Sequence, residues 1–68
     1  MRTEYLSILG GRVRTRRELL GFSQTTLARR AGVHPNVVGR LERGTYNPTV
    51  LKLLGIAGAL RLPLRDLV

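Results

Sequence analysis

The chain is 68 residues long, which is enough for one small domain whose single core gives only modest stability. Its formal charge is +8, and this positive charge favours a polyanionic partner. Lys52 is the only one of its twelve basic residues that is not an arginine. Arginine is suited to bidentate hydrogen bonds with phosphate or guanine, although a genome rich in G and C would also favour arginine over lysine. The absence of cysteine excludes disulfides and zinc-thiolate sites, and the longest apolar stretch, residues 53–60, is far shorter than the roughly 20 residues that span a bilayer.

The first predicted helix begins within residues 3–7 and is closed by Gly21. Its apolar residues recur at steps of three and four, which is the period of one helical face. Glycine is the residue type best able to adopt a left-handed C-terminal cap. Gly10 and Gly11 are each expected to weaken this helix by about 1 kcal/mol relative to alanine. The start of the chain is too polar for a signal peptide, so we expect a soluble protein.

A helix-turn-helix is predicted over about residues 23–43. Ser23 is well placed to cap the second helix, which is expected to run from Gln24 to about Arg30. Gly32 then forms the turn. The apolar residues expected on the inward face of the second helix are Leu27, Ala28 and Ala31.

The third helix is predicted to carry a short, polar and basic outer face. His34 is the expected N-cap and Pro35 the first helical residue, where a missing N–H costs nothing. The helix is expected to end near Arg43. The residues predicted on its buried side are Val33, Val38 and Leu41. Those predicted to project outward are Pro35, Asn36, Gly39, Arg40 and Arg43.

The rest of the chain is predicted to form a loop and two further helices. Residues 44–48 have the composition of a loop, and Thr49 can cap a fourth helix. The residues expected to face inward from that helix are Val50, Leu53, Ile56, Ala57 and Leu60. Residues 62–68 indicate a short fifth helix with Pro63 in its first turn. No repeat or linker is visible, so the sequence predicts an all-α fold, one compact five-helix domain over residues 1–68.

Taken together, these features resemble the Cro and phage-repressor (Xre) family of helix-turn-helix domains over about residues 9–67. Each short motif is a weak signal alone, but their joint spacing is specific. The residues that carry the resemblance are Leu9-Gly10, Arg12-Val13-Arg14, Arg17, Gly21-Phe22-Ser23-Gln24, Leu27-Ala28, Gly32-Val33, Val38, Arg40-Leu41-Glu42-Arg43-Gly44, Asn47-Pro48, Ile56-Ala57 and Leu60.

The resemblance implies a lambda-repressor-like bundle of five helices that binds operator DNA. Such a protein would be a sequence-specific transcriptional regulator, expected here to be a dimeric repressor that reads the major groove with the helix 35–43. The implied partners are double-stranded DNA and a second copy of the chain, with no membrane and no cofactor. The implied location is the cytoplasm of a prokaryote or of a phage-infected cell.

The resemblance also assigns individual DNA contacts. Gln24 would grip a phosphate at the positive end of the second helix, the alternative being a solvated residue. Pro35, Asn36 and Arg40 fall at positions that meet base edges. Arg40 is suited to guanine and Asn36 to adenine, whereas Pro35 and Val37 can touch only a thymine methyl; a phosphate clamp is the alternative for Arg40. The full predicted set is Gln24, Thr25, Pro35, Asn36, Val37, Arg40, Arg43, Tyr46 and Asn47.

Several of these residues have a second interpretation. Arg43 at the end of the third helix would complement the helix dipole even without DNA. Tyr46 and Asn47 resemble a loop that contacts the DNA backbone, although Tyr46 could instead pack over the loop. His34 could serve as a helix cap or, when protonated, reach a phosphate.

Arg17 and Glu42 are implied by the resemblance to be a largely buried ion pair between the first and third helices. Their role would be structural, and removal of one partner of such a pair typically costs about 3 to 5 kcal/mol. The other arginines of the first two helices would supply a positive field from a solvated face, with phosphate contacts as the alternative. They are Arg12, Arg14, Arg16, Arg29 and Arg30.

The apolar end of the chain, residues 60–68, is predicted to form a dimerisation surface. A domain this small has little volume in which to bury all of these side chains. A two-fold dimer would present its recognition helices about 34 Å apart. The predicted interface residues are Leu62, Leu64, Leu67 and Val68, with Leu51 and Leu54 as further candidates.

Other functional classes fit the sequence less well. Catalysis is not expected, because cysteine, a second histidine, a phosphate-binding loop and a pair of carboxylates in a pocket are all missing, and no metal site is expected. RNA binding is disfavoured by the scarcity of aromatic residues. The main alternative is an antitoxin-type interaction module that binds a partner protein through its apolar C-terminal surface.

Overall fold

The computed structural model describes the backbone of residues 2–68 and the side chains of residues 4–68. Met1, which the predicted domain includes, lies outside the described residues. Along the described part of the chain the fold is all-α, as predicted, and it measures 30 × 23 × 22 Å. None of the helices described is long and apolar enough to cross a membrane. The five helices are α1 (Arg2–Leu19), α2 (Gln24–Ala31), α3 (Pro35–Glu42), α4 (Val50–Ala59) and α5 (Leu64–Leu67).

The helix boundaries follow from capping residues. The Ser23 side chain accepts a hydrogen bond from the backbone N–H of Thr26 at 3.0 Å, and the Thr49 hydroxyl accepts one from Lys52 at 3.2 Å. Each satisfies a donor that the first turn of a helix leaves unpaired. Gly32 has the left-handed φ of 73° that a C-terminal cap requires. The predicted starts of α2 and α4 are therefore confirmed.

Both ends of the chain differ from the prediction. The first helix begins at Arg2, before the predicted window of residues 3–7. The last helix begins at Leu64 and not at residue 62, because Pro63 is the N-cap, with extended backbone angles of φ −67° and ψ 150°. Proline favours such a position at a helix start, since it has no N–H to donate.

The core lies between all five helices. α2 packs against α3 and α4, while α1 packs against α3 and α5. Val50 was predicted to face this core, but it is 64% exposed; the packing of α4 against the core begins with Leu53, which is half-buried. The buried apolar residues are Leu9, Val13, Leu27, Ala28, Val38, Leu41, Ile56, Ala57, Leu60 and Leu67.

Two glycines allow helix backbones to approach closely. A Cβ on Gly10 would overlap the carbonyl oxygen of Leu41 and lie 2.9 Å from that of Glu42, and a Cβ on Gly55 would lie 2.7 Å from the carbonyl oxygen of Ala31. α1 therefore crosses α3 at Gly10, and α4 crosses α2 at Gly55. Gly10 lowers the helix propensity of α1, as predicted, but it is needed at this position because any side chain would prevent α3 from packing at this distance.

The predicted dimerisation surface needs correction at its centre. Leu67 has no exposed surface within a single chain, because it lies on the inner face of α5, which packs against α1 and α4. Leu62 and Leu64 are half-buried against the same core, and only Val68 is largely exposed, at 61%. Leu67 therefore belongs to this domain's own core and not to the exposed interface that the sequence predicted.

Candidate nucleic-acid interface

The outer face of α3 is polar and open to solvent. His34 and Pro35 start the helix as predicted: the Nδ1 atom of His34 accepts a hydrogen bond from the backbone N–H of Asn36 at 3.1 Å, and Pro35 follows as the first helical residue. The helix ends at Glu42, one residue before the predicted end, with Arg43 as its C-cap. The predicted contact residues of this segment that lie exposed are Pro35, Asn36, Arg40 and Arg43, while Val37 is half-buried.

Side chains from α2 and α3 surround one shallow cleft of about 320 Å³ on this face. The structure thus brings together residues that are up to 19 positions apart in the sequence, from 24 to 43. The cleft is mostly polar, and two guanidinium groups stand beside it. Its lining residues are Gln24, Pro35, Asn36, Gly39, Arg40 and Arg43, which include five of the nine predicted contacts.

Gly39 was predicted to project outward, but it is buried. The side chains of Gln24 and Arg43 lie over it: Oε1 of Gln24 and Nη1 of Arg43 are each 3.4 Å from the point where a Cβ would stand. Helical periodicity identified the correct face of α3. It could not show that neighbouring side chains cover this position, because that depends on how α2 is placed.

The remaining predicted contacts lie around the cleft but do not line it. Thr25 is exposed in the first turn of α2, and Asn47 is exposed in the loop after α3. Tyr46 is half-buried, with the guanidinium carbon of Arg40 5.4 Å from its ring centroid. Lys52 Nζ donates a hydrogen bond to the Tyr46 hydroxyl at 2.7 Å. This contact of Lys52 could not be predicted from the sequence, because Lys52 belongs to a different helix.

An ion pair fixes α3 on α1. Arg17 donates from Nε and Nη2 to the two carboxylate oxygens of Glu42, at 2.6 and 3.0 Å, and from Nη1 to the carbonyl oxygen of Phe22 at 2.8 Å. The two side chains are only 12% and 5% exposed. The hydrogen bond to Glu42 raises the pKa of Arg17, and burial opposes that rise. The arginine therefore stays charged, and the bidentate geometry holds two helices in register.

Glu42 also orients the cleft residue Gln24. Its Oε1 atom accepts a hydrogen bond from Nε2 of Gln24 at 3.1 Å. One carboxylate thus joins α1, α3 and the start of α2. The amide of Gln24 keeps its second N–H for another acceptor, beside the positive N-terminal end of α2.

Several other arginines have local partners. Arg16 donates to the carbonyl oxygen of Leu60 at 2.9 Å, at the C-terminus of α4. Arg12 donates to the carbonyl oxygen of Val68 at 2.6 Å, and Arg14 pairs with Glu18 at 3.3 Å. Arg30 stacks over the ring of Phe22 at 4.7 Å. These arginines were predicted to lie on a solvated face and to supply a positive field. Arg12 and Arg16 also hold the C-terminal part of the chain against α1 through their hydrogen bonds.

Among the side chains described, no group of three or more His, Cys, Asp or Glu residues could hold a metal ion. The polar chemistry of the face around α3 comes from guanidinium, amide and hydroxyl groups. These groups donate hydrogen bonds to phosphates and to base edges.

Comparison with known proteins identifies the family. A model of the helix-turn-helix family HTH_3 matches residues 13–67. The chain belongs to the HTH_3 family. The resemblance to Cro-like and Xre-type domains is thereby confirmed, and the family consists of DNA-binding transcription regulators and not of enzymes.

Other members of the HTH_3 family share both sequence and fold with this chain. The restriction-modification controller protein C.AhdI from Aeromonas hydrophila superposes with a TM-score of 0.92 at 37% identity, over 96% of this chain and 98% of that chain. An HTH_3 family transcriptional regulator from Vibrio cholerae superposes with a TM-score of 0.91 at 25% identity, over 98% of this chain and 38% of that chain.

A curated relative of the same type is described as an uncharacterized transcriptional regulator in the ATPase CF(0) region of Rhodospirillum rubrum. It is 43% identical over 56 residues, which are 82% of this chain and 52% of the relative. The chain therefore spans about half the length of this curated relative. Together with the family match, these similarities make the chain a helix-turn-helix domain of the kind found in transcriptional regulators.

Proposed function

We propose that this HTH_3 protein is a sequence-specific transcriptional repressor that binds double-stranded operator DNA as a homodimer, with α3 in the major groove. The observation that carries the proposal is the exposed cleft at which α2 and α3 meet. It combines two guanidinium groups, two amides and no carboxylate in its lining. A surface of this kind suits a polyanion whose groove presents hydrogen-bond acceptors.

The side chains of the cleft divide naturally into two roles. Asn36 is exposed in the first turn of α3 and Arg40 in its last turn; Arg40 can pair with guanine O6 and N7, and Asn36 with adenine N6 and N7. Gln24 lies at the start of α2, where the helix dipole favours an anion. We assign Arg40 and Asn36 to base reading and Gln24 to a phosphate.

The exposed apolar stripe of α4 is the proposed dimer surface. Leu51 is 81% exposed and Leu54 is 48% exposed, and with Gly58 they follow the i, i+3, i+7 spacing of one helical face. Gly58 is exposed with open space at its Cβ position, so two α4 helices can approach closely there. Lys52 is the only charged residue of α4. Leu51 and Leu54 were further candidates in the sequence prediction, and we place them at the centre of the proposed surface because Leu67 is buried.

A two-fold axis through this stripe would repeat each contact in both copies. Recognition helices one turn of DNA apart, about 34 Å, would then meet the two halves of a palindromic operator. Occupancy of an operator that overlaps a promoter would exclude RNA polymerase. The protein would act in the cytoplasm, where its DNA is. The similarity to the restriction-modification controller protein C.AhdI supports a regulatory role of this type.

Selection from a randomised DNA library tests this proposal directly. The wild-type protein is expected to select a palindrome. Arg40→Ala should relax the preference at one base pair in each half-site, whereas Gln24→Ala should lower the affinity for all sequences equally. The affinity should fall with salt at a log-log slope of about −0.9 per phosphate neutralised.

Arg65→Gln is the control for loss of one positive charge, since Arg65 lies on α5, which packs against α1 and α4. It should leave the selected sequence unchanged. No enriched sequence, a complex insensitive to salt, or identical selections by the Arg40 and Gln24 variants would each refute the proposal.

A further inference from the structure

An aromatic ring lies beside the guanidinium group of Arg40 at the cleft. The guanidinium carbon is 5.4 Å from the ring centroid of Tyr46, within the range in which a cation is attracted to the face of an aromatic ring. Arg40 is itself exposed. An exposed arginine has many rotamers, so it loses conformational entropy when it binds a base unless something orders it beforehand.

Tyr46 is in turn held by Lys52. The ammonium group of Lys52 donates a 2.7 Å hydrogen bond to the Tyr46 hydroxyl and lies 5.4 Å from the ring centroid. The backbone of Lys52 is fixed in the first turn of α4 by the Thr49 cap. The loop residue Tyr46 is therefore connected to α4 through the Lys52 side chain, and this hydrogen bond favours the ring position beside Arg40.

The charges of the two cations have no nearby acidic counterpart. The ion pairs found among the described side chains join Arg14 and Arg17 to Glu18 and Glu42 and include neither Arg40 nor Lys52. Two like charges on one ring would normally move apart into solvent. The ring face and the hydroxyl of Tyr46 are the groups that offset this repulsion.

We infer that Tyr46 is a positioning residue for Arg40, anchored by Lys52, and that this pair sets the specificity at the base pair that Arg40 reads. The inference rests on the proposed function. It assigns Tyr46 a role different from the phosphate contact expected from the sequence. It also adds Lys52, a residue outside the helix-turn-helix, to the determinants of specificity.

The test compares affinities for the selected operator and for the same operator changed only at the Arg40 base pair. Tyr46→Leu and Lys52→Met should each lower the ratio of these two affinities by about two- to fivefold, the size expected for an exposed cation–aromatic contact. In an Arg40→Ala background, Tyr46→Leu should change the ratio no further. Arg65→Gln serves as the charge control and should leave the ratio at the wild-type value. Circular dichroism melts establish that each variant is folded.

The opposite result is a uniform loss of affinity for both operators, with the salt slope reduced by about 0.9 in Lys52→Met. That outcome would show direct phosphate contacts and overturn the inference while leaving the proposed function intact. An additional loss from Tyr46→Leu in the Arg40→Ala background would also overturn it. Failure of the wild-type protein to select any sequence would instead refute the proposed function.

Discussion

The side chain of Glu42 connects the ion pair between α1 and α3 with the candidate site. Its two oxygens accept hydrogen bonds from Arg17, and one of them also accepts from Gln24 at the edge of the cleft. The carboxylate is 5% exposed, so its charge is compensated by protein groups and hardly by water. Loss of the partner would leave an uncompensated charge inside the protein, which costs more than the pair itself contributes.

Arg17→Met is therefore expected to destabilise the protein by about 3 to 5 kcal/mol. This is a large part of the roughly 3 to 10 kcal/mol expected for a domain of this length. Urea unfolding followed by circular dichroism measures the loss. The double variant Arg17→Met with Glu42→Leu should recover a substantial part of it, because no charge then remains buried. A loss below about 1 kcal/mol in the single variant would mean that the pair behaves like a surface ion pair.

At the level of the helices, the adjacent glycines of α1 offer a matched pair of substitutions. Gly11 has open space at its Cβ position, whereas a Cβ on Gly10 would overlap the backbone of α3. Gly11→Ala should stabilise the protein by about 1 kcal/mol through helix propensity. Gly10→Ala should destabilise it by about 1 to 3 kcal/mol, because α3 must shift. Thermal unfolding should show melting temperatures that move in opposite directions. Equal shifts of one sign would contradict the close crossing of α1 and α3.

The helices show what the sequence could and could not predict. The starts of α2, α3 and α4 were predictable, because Ser23, His34 and Thr49 cap their own helices through local hydrogen bonds. The buried state of Gly39 and the exposed state of Val50 were not, because both depend on the distance to neighbouring helices. Periodicity identifies a face of a helix, but not what lies opposite that face.

Some features of the candidate site could likewise be predicted from the sequence and others could not. The spacing of motifs placed Gln24, Asn36 and Arg40 on one surface, and the cleft brings them together. The contact between Tyr46 and Lys52 joins a loop to the following helix. No motif encodes it, because it depends on the path of residues 44–49. The fold and the residues that meet at the cleft were therefore predictable, whereas the contacts of the loop and α4 beside them were not.

For the whole molecule, a comparison of Leu51 with Leu19 tests whether the exposed apolar stripe of α4 is a dimer surface. Leu51 on α4 is 81% exposed and Leu19 on α1 is 72% exposed. Leu51→Glu would place two carboxylates at a two-fold interface, and it should weaken dimerisation by at least about tenfold, equivalent to 1.4 kcal/mol. Leu19→Glu, which introduces the same charge on α1, should leave dimerisation unchanged. Analytical ultracentrifugation over the micromolar range measures both. A wild-type protein that remains monomeric at high micromolar concentration would exclude the dimer.

Gly39 forms part of the floor of the cleft, so a larger residue at this position changes the shape of the cleft. An alanine methyl group there would meet Gln24 and Arg43 at 3.4 Å, an ordinary contact distance, and α3 would gain helix propensity. The same methyl group would fill part of the floor of the cleft. Under the proposed function, Gly39→Ala therefore changes the shape of the surface that meets DNA and leaves the scaffold intact.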